Sequence, residues 1–285
     1  MTFQGLLEKG AALLAAAGVE EAELEARLLL QHVCKVSRSQ LFLQARALPS
    51  EARSREYLSF IQKRCTRIPL QHITGSREFW SLDFTVSPDV LIPRPETEFM
   101  LDHVLSTVQT DKRKIYNALD LCTGSGVIGV VLAKELDCQV TALDISPAAL
   151  SVASENCAKH GVAGQVSLLA SDLFSGLQPV RAFDLIVSNP PYIAENALAT
   201  LSPEVKDHEP RLALTGGEKG LDYIKQIISE SKTYLKKNSW LFIEIGMDQG
   251  ALTRQLFITT GGYSNVTIIR DWSGRDRVAQ ARLSV

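Results

Sequence analysis

Ala118-Leu119-Asp120-Leu121-Cys122-Thr123-Gly124-Ser125-Gly126 is the stretch on which the fold turns. A short, mostly apolar run meets a glycine turn, and helical periodicity follows it. Glycines at such a strand-to-helix turn let backbone approach a ligand and adopt angles closed to other residues. An acidic residue, Asp144, ends the next expected strand 20 residues after Gly124, within reach of both hydroxyls of a ribose. The same residues satisfy G-x-G-x-x-G through Gly124, Gly126 and Gly129, so on this loop alone an NAD-binding oxidoreductase competes with a methyltransferase.

Three features separate the two. Asp120 precedes the loop at D-x-x-x-G-x-G spacing, which suits the amino-acid end of S-adenosylmethionine. None of the six tyrosines is followed four residues later by lysine, so one common dehydrogenase pair is missing. The buried strand Phe183-Asp184-Leu185-Ile186-Val187-Ser188 runs into Asn189-Pro190-Pro191-Tyr192, which has no standard role in hydride transfer.

Working outward, strands are expected near 116–121, 139–144, 165–170, 183–188 and 239–245, and helices near 126–136, 147–160, 219–236 and 248–258. Strands near 264–270 and 277–284 have no helix between them and should close the sheet as an antiparallel hairpin around the charged turn Gly274-Arg275-Asp276-Arg277. Repeated βα units give a mostly parallel sheet covered on both faces. Upstream, Phe79 to Val86 reads as a strand or hairpin, and Pro95 opens a helix to about Val108. Residues 3 to about 67 read as helices only, with Leu6, Leu7, Leu13, Leu14, Leu24, Leu28, Leu29 and Val33 in helical stripes. The expected division is a helical substrate-recognition domain over 1–70, a β-hairpin linker over 71–90 and a cofactor-binding domain over 91–285.

Composition narrows the class. The chain of 285 residues has 45% hydrophobic and 22% charged residues and a net charge of −2, which argues against bulk electrostatic binding of nucleic acid. Residues 1–80 carry 11 Lys/Arg against 8 Asp/Glu, leaving 19 against 24 for the remainder, so only the front segment is mildly basic. Cys34, Cys65, Cys122, Cys138 and Cys157 lack the paired spacing of disulfide frameworks or zinc sites. No apolar stretch approaches the roughly 18 residues that span a bilayer, and the N-terminus lacks a signal-peptide pattern. A cytoplasmic protein with reduced thiols and no metal is expected.

The chemistry resides in the tetrapeptide. An amide or aromatic-amine nitrogen is a poor nucleophile because its lone pair is delocalised, so a catalyst must hold the planar NH2 with that lone pair aimed at the electrophile. The Asn189 side-chain oxygen and the Pro190 carbonyl can each accept one N–H, and proline adds no competing donor. Tyr192 can stack on the flat group. No charged base is needed. The motif alone does not choose between a glutamine amide and an adenine amine.

At these residues the chain resembles the HemK/PrmC family, the peptide chain release factor glutamine N5-methyltransferases. The likeness spans nearly the whole chain. It includes Ile73-Thr74-Gly75, Arg77-Glu78-Phe79-Trp80, Ile92-Pro93-Arg94-Pro95-Glu96-Thr97-Glu98, Glu209-Pro210 with Ala213-Leu214, Glu244-Ile245-Gly246 with Gln249, and Gly274-Arg275-Asp276-Arg277. The resemblance implies a Rossmann-like class I S-adenosylmethionine-dependent methyltransferase sheet behind a small helical domain. It implies methyl transfer to the glutamine of a Gly-Gly-Gln motif in class I release factors, with S-adenosylhomocysteine as product. Cys122, Thr123, Gly124, Ser125 and Gly126 would line the methionine moiety, Asp144 the ribose, and Asp172 and Leu173 the adenine. Asn189 would touch both cofactor and substrate amide, with Pro190, Pro191 and Tyr192 completing the glutamine pocket. The partner is then a release factor, with no direct DNA and no membrane, and the chain is expected to be monomeric.

Two departures bear on the site. Cys122 stands where the family usually has the first loop glycine; a cysteine there is expected to keep a negative φ and pack more tightly. Leu173 lies where an aromatic is frequent. Arg94 and Glu98 could fasten their segment over the cofactor or form a helix-start ion pair, and His208 is read as an exposed loop histidine in preference to a site residue. The competing functions are a ribosomal-protein glutamine N5-methyltransferase, an adenine-N6 DNA methyltransferase, and a non-catalytic binding module.

Overall fold

A computed structural model describes residues 1–284, which divide into two compact units: Met1–Ser76 with Ser202–His208, and Arg77–Leu201 with the chain from Glu209 onward. The first unit is helical: α1 (Phe3–Ala16), α2 (Ala22–Cys34), α3 (Arg38–Leu43), α4 (Glu51–Cys65) and α5 (Leu70–Thr74). Hydroxyl caps start three of them. Thr2 accepts the Gly5 N–H, Ser37 forms a reciprocal box with Gln40, and Ser50 accepts the Arg53 N–H, each satisfying donors that a helix start leaves unpaired. Leu6, Leu14, Leu29, Leu30, Tyr57 and Ile61 fill its core. A short helix from far along the chain, α9 (Pro203–His208), belongs to this unit. Its Glu204 accepts from Arg64 at 2.8 Å and from Arg67 at 2.8 Å, and Arg64 also grips Glu25.

The chain then forms a hairpin, β1 (Ser76–Phe79) and β2 (Leu82–Thr85), turned by Trp80 and Ser81, both at positive φ. Two such residues in a row match the right-handed twist of paired strands. The elements that follow are α6 (Pro95–Asp111), β3 (Asn117–Leu121), α7 (Val127–Leu136), β4 (Gln139–Asp144), α8 (Pro147–Lys159), β5 (Val166–Ala170) and β6 (Phe183–Ser188). After the excursion through α9 come α10 (Asp222–Tyr234), β7 (Leu235–Glu244), α11 (Gly250–Thr260), β8 (Tyr263–Arg270) and β9 (Asp276–Leu283). The seven-stranded sheet has the order β5-β4-β3-β6-β7-β9-β8, parallel except where β9 pairs antiparallel with β7 and β8. This is the mostly parallel methyltransferase sheet with a closing hairpin.

Alternation along the central strands sorts the core onto two faces. Ala118, Leu185, Val187, Trp240 and Phe242 meet the layer containing Met100, Leu101, Val130 and Val131. Leu119, Leu121, Ile186, Leu241 and Ile243 meet Ile224, Ile227, Ile228 and Phe257. The strand order reverses between β4 and β6 on either side of β3, so the crevice beyond their carboxyl ends is where an open α/β sheet takes a ligand. Helix α10 starts at Asp222 rather than near 219, because residues 216–220 form a glycine turn against the Asn189 loop.

Candidate active site

The crevice is a cleft enclosing about 980 Å³ of space, part of it open to solvent. Its walls bring together Cys122, Thr123, Gly124, Ser125, Asp144, Asp172, Leu173, Asn189 and Pro191. Gly126, Pro190 and Tyr192 are not among its lining residues. Gly126 instead caps α7 at a φ of 83°, where an added Cβ would lie 3.0 Å from the Ala153 Cβ. His208 belongs to the helical unit, its Nε2 3.3 Å from the Thr66 carbonyl.

Under the glycine loop, Asp120 is wholly buried. One of its oxygens, Oδ2, accepts both the Thr123 hydroxyl at 2.6 Å and the Gly129 N–H at 2.9 Å. Its other oxygen, Oδ1, has no partner. Burial pushes this carboxyl up to about 7, against the pull of those two donors. Asp144 Oδ2 accepts the Gly124 N–H at 2.8 Å and Oδ1 the Ser146 N–H at 2.9 Å. A carboxylate has about four acceptor positions, so two remain for hydroxyl donors. Asn156, buried on α8, donates to the Ser125 carbonyl at 2.8 Å and exchanges hydrogen bonds with the Thr85 backbone, tying β2 to the loop.

Cys122 corrects an expectation. Its φ is 60°, in the left-handed region that favours glycine. The turn needs that angle whichever residue occupies it, and a reading from residue type alone did not register the need. Burial raises its thiol, with Asp144 adding to the shift, so it remains neutral. Leu173 also has positive φ, and its carbonyl is held by the Ser171 hydroxyl at 2.7 Å. Tyr223, from α10, puts an aromatic ring on the same cleft.

The Asn189 loop is clamped from several sides. Gln249 Nε2 donates to the Tyr192 carbonyl at 2.8 Å while its Oε1 accepts the Gly246 N–H. A Cβ on Gly220 would sit 2.1 Å from the Tyr192 carbonyl oxygen, so only glycine permits this approach. Asn189 Nδ2 donates to Thr97 Oγ1 at 3.1 Å, and Thr97 donates to Glu244 Oε2 at 2.7 Å. The Tyr192 hydroxyl donates to Glu244 Oε1 at 3.1 Å. Glu244 is wholly buried, and burial pushes it up to about 7. Arg94 pairs with buried Glu209 at 2.6 Å, while Glu98 accepts the Trp80 N–H; both anchor the segment that borders the cleft.

Sequence reading did not single out Thr97, Asn156, Tyr223 or Glu244 for the site. The Thr97-Glu-containing segment and Glu244-Ile245-Gly246 stood out as motifs, but their partners lie far apart along the chain.

Comparison with known proteins is consistent over the whole length. Residues 5–75 match the PrmC N-terminal domain and residues 96–207 the methyltransferase small domain. A release factor glutamine methyltransferase from Moorella thermoacetica is 41% identical, with 97% of each chain covered. One from Koribacter versatilis is 39% identical, with 99% of each covered. Among solved structures, a methyltransferase from Pyrococcus furiosus aligns at a TM-score of 0.55 with 18% identity, covering 79% of this chain and 99% of its own. The hMettl16 catalytic domain, solved with an RNA hairpin, aligns at 0.57 with 16% identity and 82% of each chain covered. These two show the shared methyltransferase fold.

Proposed function

The chain belongs to the release factor glutamine methyltransferase family, and on that premise we propose that it methylates the side-chain amide nitrogen (N5) of the glutamine in the Gly-Gly-Gln motif of class I peptide chain release factors. Bound S-adenosylmethionine supplies an electrophilic methyl group on a sulfonium and leaves as S-adenosylhomocysteine. The observation that carries this reading is the orientation of Asn189. Its NH2 donates to Thr97, so Oδ1 is the end of the amide left to accept, on a residue that lines the same cleft as Cys122, Gly124 and Asp144.

Asn189 Oδ1 accepts one N–H of the substrate amide and the Pro190 carbonyl the other, which holds the NH2 plane fixed. The amide nitrogen then forms its bond to the methyl carbon, the C–S electron pair returns to sulfur, and the surplus proton leaves nitrogen for water. Positioning and preorganised dipoles supply the acceleration. The Asp144 carboxylate holds the ribose hydroxyls, and the loop from Cys122 to Ser125 surrounds the methionine end. The helical unit, mildly basic over the first 80 residues, recognises the release factor.

The test is incubation with methyl-labelled S-adenosylmethionine and, separately, a purified class I release factor, its Gly-Gly-Ala variant, ribosomal protein and DNA. Label is expected on the release factor alone and absent from the Gly-Gly-Ala form. Label on DNA or ribosomal protein but not on the release factor would overturn the proposal.

A further inference from the structure

The hydrogen bonds behind Asn189 have a direction. A threonine hydroxyl owns one proton, and a carboxylate can only accept. Thr97 lies 2.7 Å from Glu244 Oε2 and therefore spends its proton there. It can then only accept from Asn189, which turns Nδ2 toward Thr97 and leaves Oδ1 as the end that can accept. Glu244 Oε1 is taken by the Tyr192 hydroxyl, so one buried carboxylate holds Tyr192 directly and Asn189 through Thr97. Thr97 and Glu244 are themselves buried, which raises the cost of a wrong donor-acceptor pairing.

We propose that Thr97 and Glu244 are positioning residues whose proton order sets which way round the Asn189 amide sits, and hence whether the motif can accept a substrate N–H. The role presupposes the amide-acceptor reading given above. With Glu244 ionised, the order runs from Asn189 to Thr97 to Glu244. A proton on Oε2 reverses it: Glu244 then donates to Thr97, whose own proton is released toward Asn189. The amide turns, its NH2 faces the cleft, and donor meets donor.

Four groups face Glu244. Thr97 and Glu96 come from α6, Tyr192 from the motif and Arg277 from β9. Burial raises the carboxyl and Glu96 pushes the same way, while Thr97, Arg277 and Tyr192 favour its charge. The raised value brings the switch into a range where turnover can be followed.

The experiment compares the full chain with Thr97→Val and Thr97→Ser. Valine keeps the shape and removes the hydroxyl; serine keeps the hydroxyl. Thr97→Val is expected to lower kcat by about 10- to 100-fold, the scale on which one lost positioning hydrogen bond acts. Its Kd for S-adenosylmethionine, measured by calorimetry, should match that of the parent, which also reports an intact fold. Thr97→Ser should recover most of the rate, and kcat of the parent should fall as pH drops through about 7.

A second readout needs no substrate. In protein labelled with 15N-asparagine, the Asn189 side-chain amide, identified by its loss in Asn189→Ala, should shift with pH in the parent and stay still in Thr97→Val. Parental kcat in Thr97→Val, a Thr97→Ser as slow as the valine variant, or an Asn189 resonance indifferent to pH would each overturn the proposal. If the parent fails to methylate any release factor, the acceptor reading fails, while the titration still decides the wiring.

Discussion

Two buried carboxylates, Asp120 beneath the glycine loop and Glu244 beneath the Asn189 loop, share a face of the sheet and almost an ionisation state. Both are wholly inaccessible, and burial raises both to about 7. They differ in what they hold. Asp120 gathers the Gly129 N–H and the Thr123 hydroxyl onto a single oxygen and leaves the other unpaired. Glu244 uses each oxygen for a different hydroxyl, Oε2 for Thr97 and Oε1 for Tyr192. On the proposed reading, the cofactor half of the site is a backbone shape and the acceptor half an order of protons.

Replacing each acid by its amide should break the comparison most sharply. In Asp120→Asn, the amide oxygen can accept both donors and the NH2 takes the place of the unpaired oxygen. In Glu244→Gln, one of two hydroxyl donors must face an NH2. We expect Glu244→Gln to lose about 10- to 100-fold in kcat, and Asp120→Asn to retain kcat with a change in KM for S-adenosylmethionine of only a few-fold. The sign of the pH effect on stability follows from the same shift. The folded value of Asp120 lies above its ordinary 3.8, so the folded protein binds more protons than the unfolded one between the two. That contribution is present below about 4 and lost as pH rises through 7. Thermal unfolding should show Asp120→Asn gaining on the parent from pH 5 to pH 8. Equal kcat losses in the two variants would erase the distinction.

A middle-sized effect is expected at Cys122, where the backbone-shape half carries a residue that its φ of 60° disfavours. In ordinary backbone, glycine is less stable than alanine by about 0.5–1 kcal/mol. In the left-handed region the order reverses, because a Cβ costs roughly 1–2 kcal/mol. Cys122→Gly should therefore be more stable than Cys122→Ala by about 1 kcal/mol, read as a Tm difference, with kcat alike in both. Alanine matching or exceeding glycine would remove strain from the account.

What the sequence made legible follows the same division. The expected strand near 183–188 coincides with β6, and those near 116–121 and 139–144 fall on β3 and β4, because unbroken apolar runs bounded by turns are local signals. The glycine loop, Asp144 and Asn189 were legible because each motif carries its chemistry within a few residues. The chain of Asn189, Thr97 and Glu244 joins residues 92 and 147 positions apart, and no local pattern encodes a proton's direction. Cys122 misled because the angle is set by the turn, and the residue type only tolerates it. The transfer of Ser202–His208 into the helical unit was hidden for a related reason, since short polar helices carry no distinctive period.

The smallest expected effect comes from a third carboxylate, which sharpens the contrast by shifting the other way. Burial would raise Glu204, but hydrogen bonds from Arg67, its own backbone N–H and Arg64 outweigh it and hold the group at about 2. It stabilises the helical unit through Arg64 and Arg67. Glu204→Gln keeps the shape and some hydrogen bonding, and Arg64 retains Glu25 at 2.5 Å, so the loss at pH 7 should be only about 1 kcal/mol. Because the folded value is depressed below the usual 4.5, the charge contributes fully above 4.5 and disappears as pH falls toward 2. Denaturant midpoints of parent and variant should differ at pH 7 and converge only as pH approaches 2, with kcat unchanged by the lost charge itself. A gap that stayed undiminished down to pH 2 would assign the stabilisation to packing of the α9 side chain and leave guanidinium pairing without a part in it.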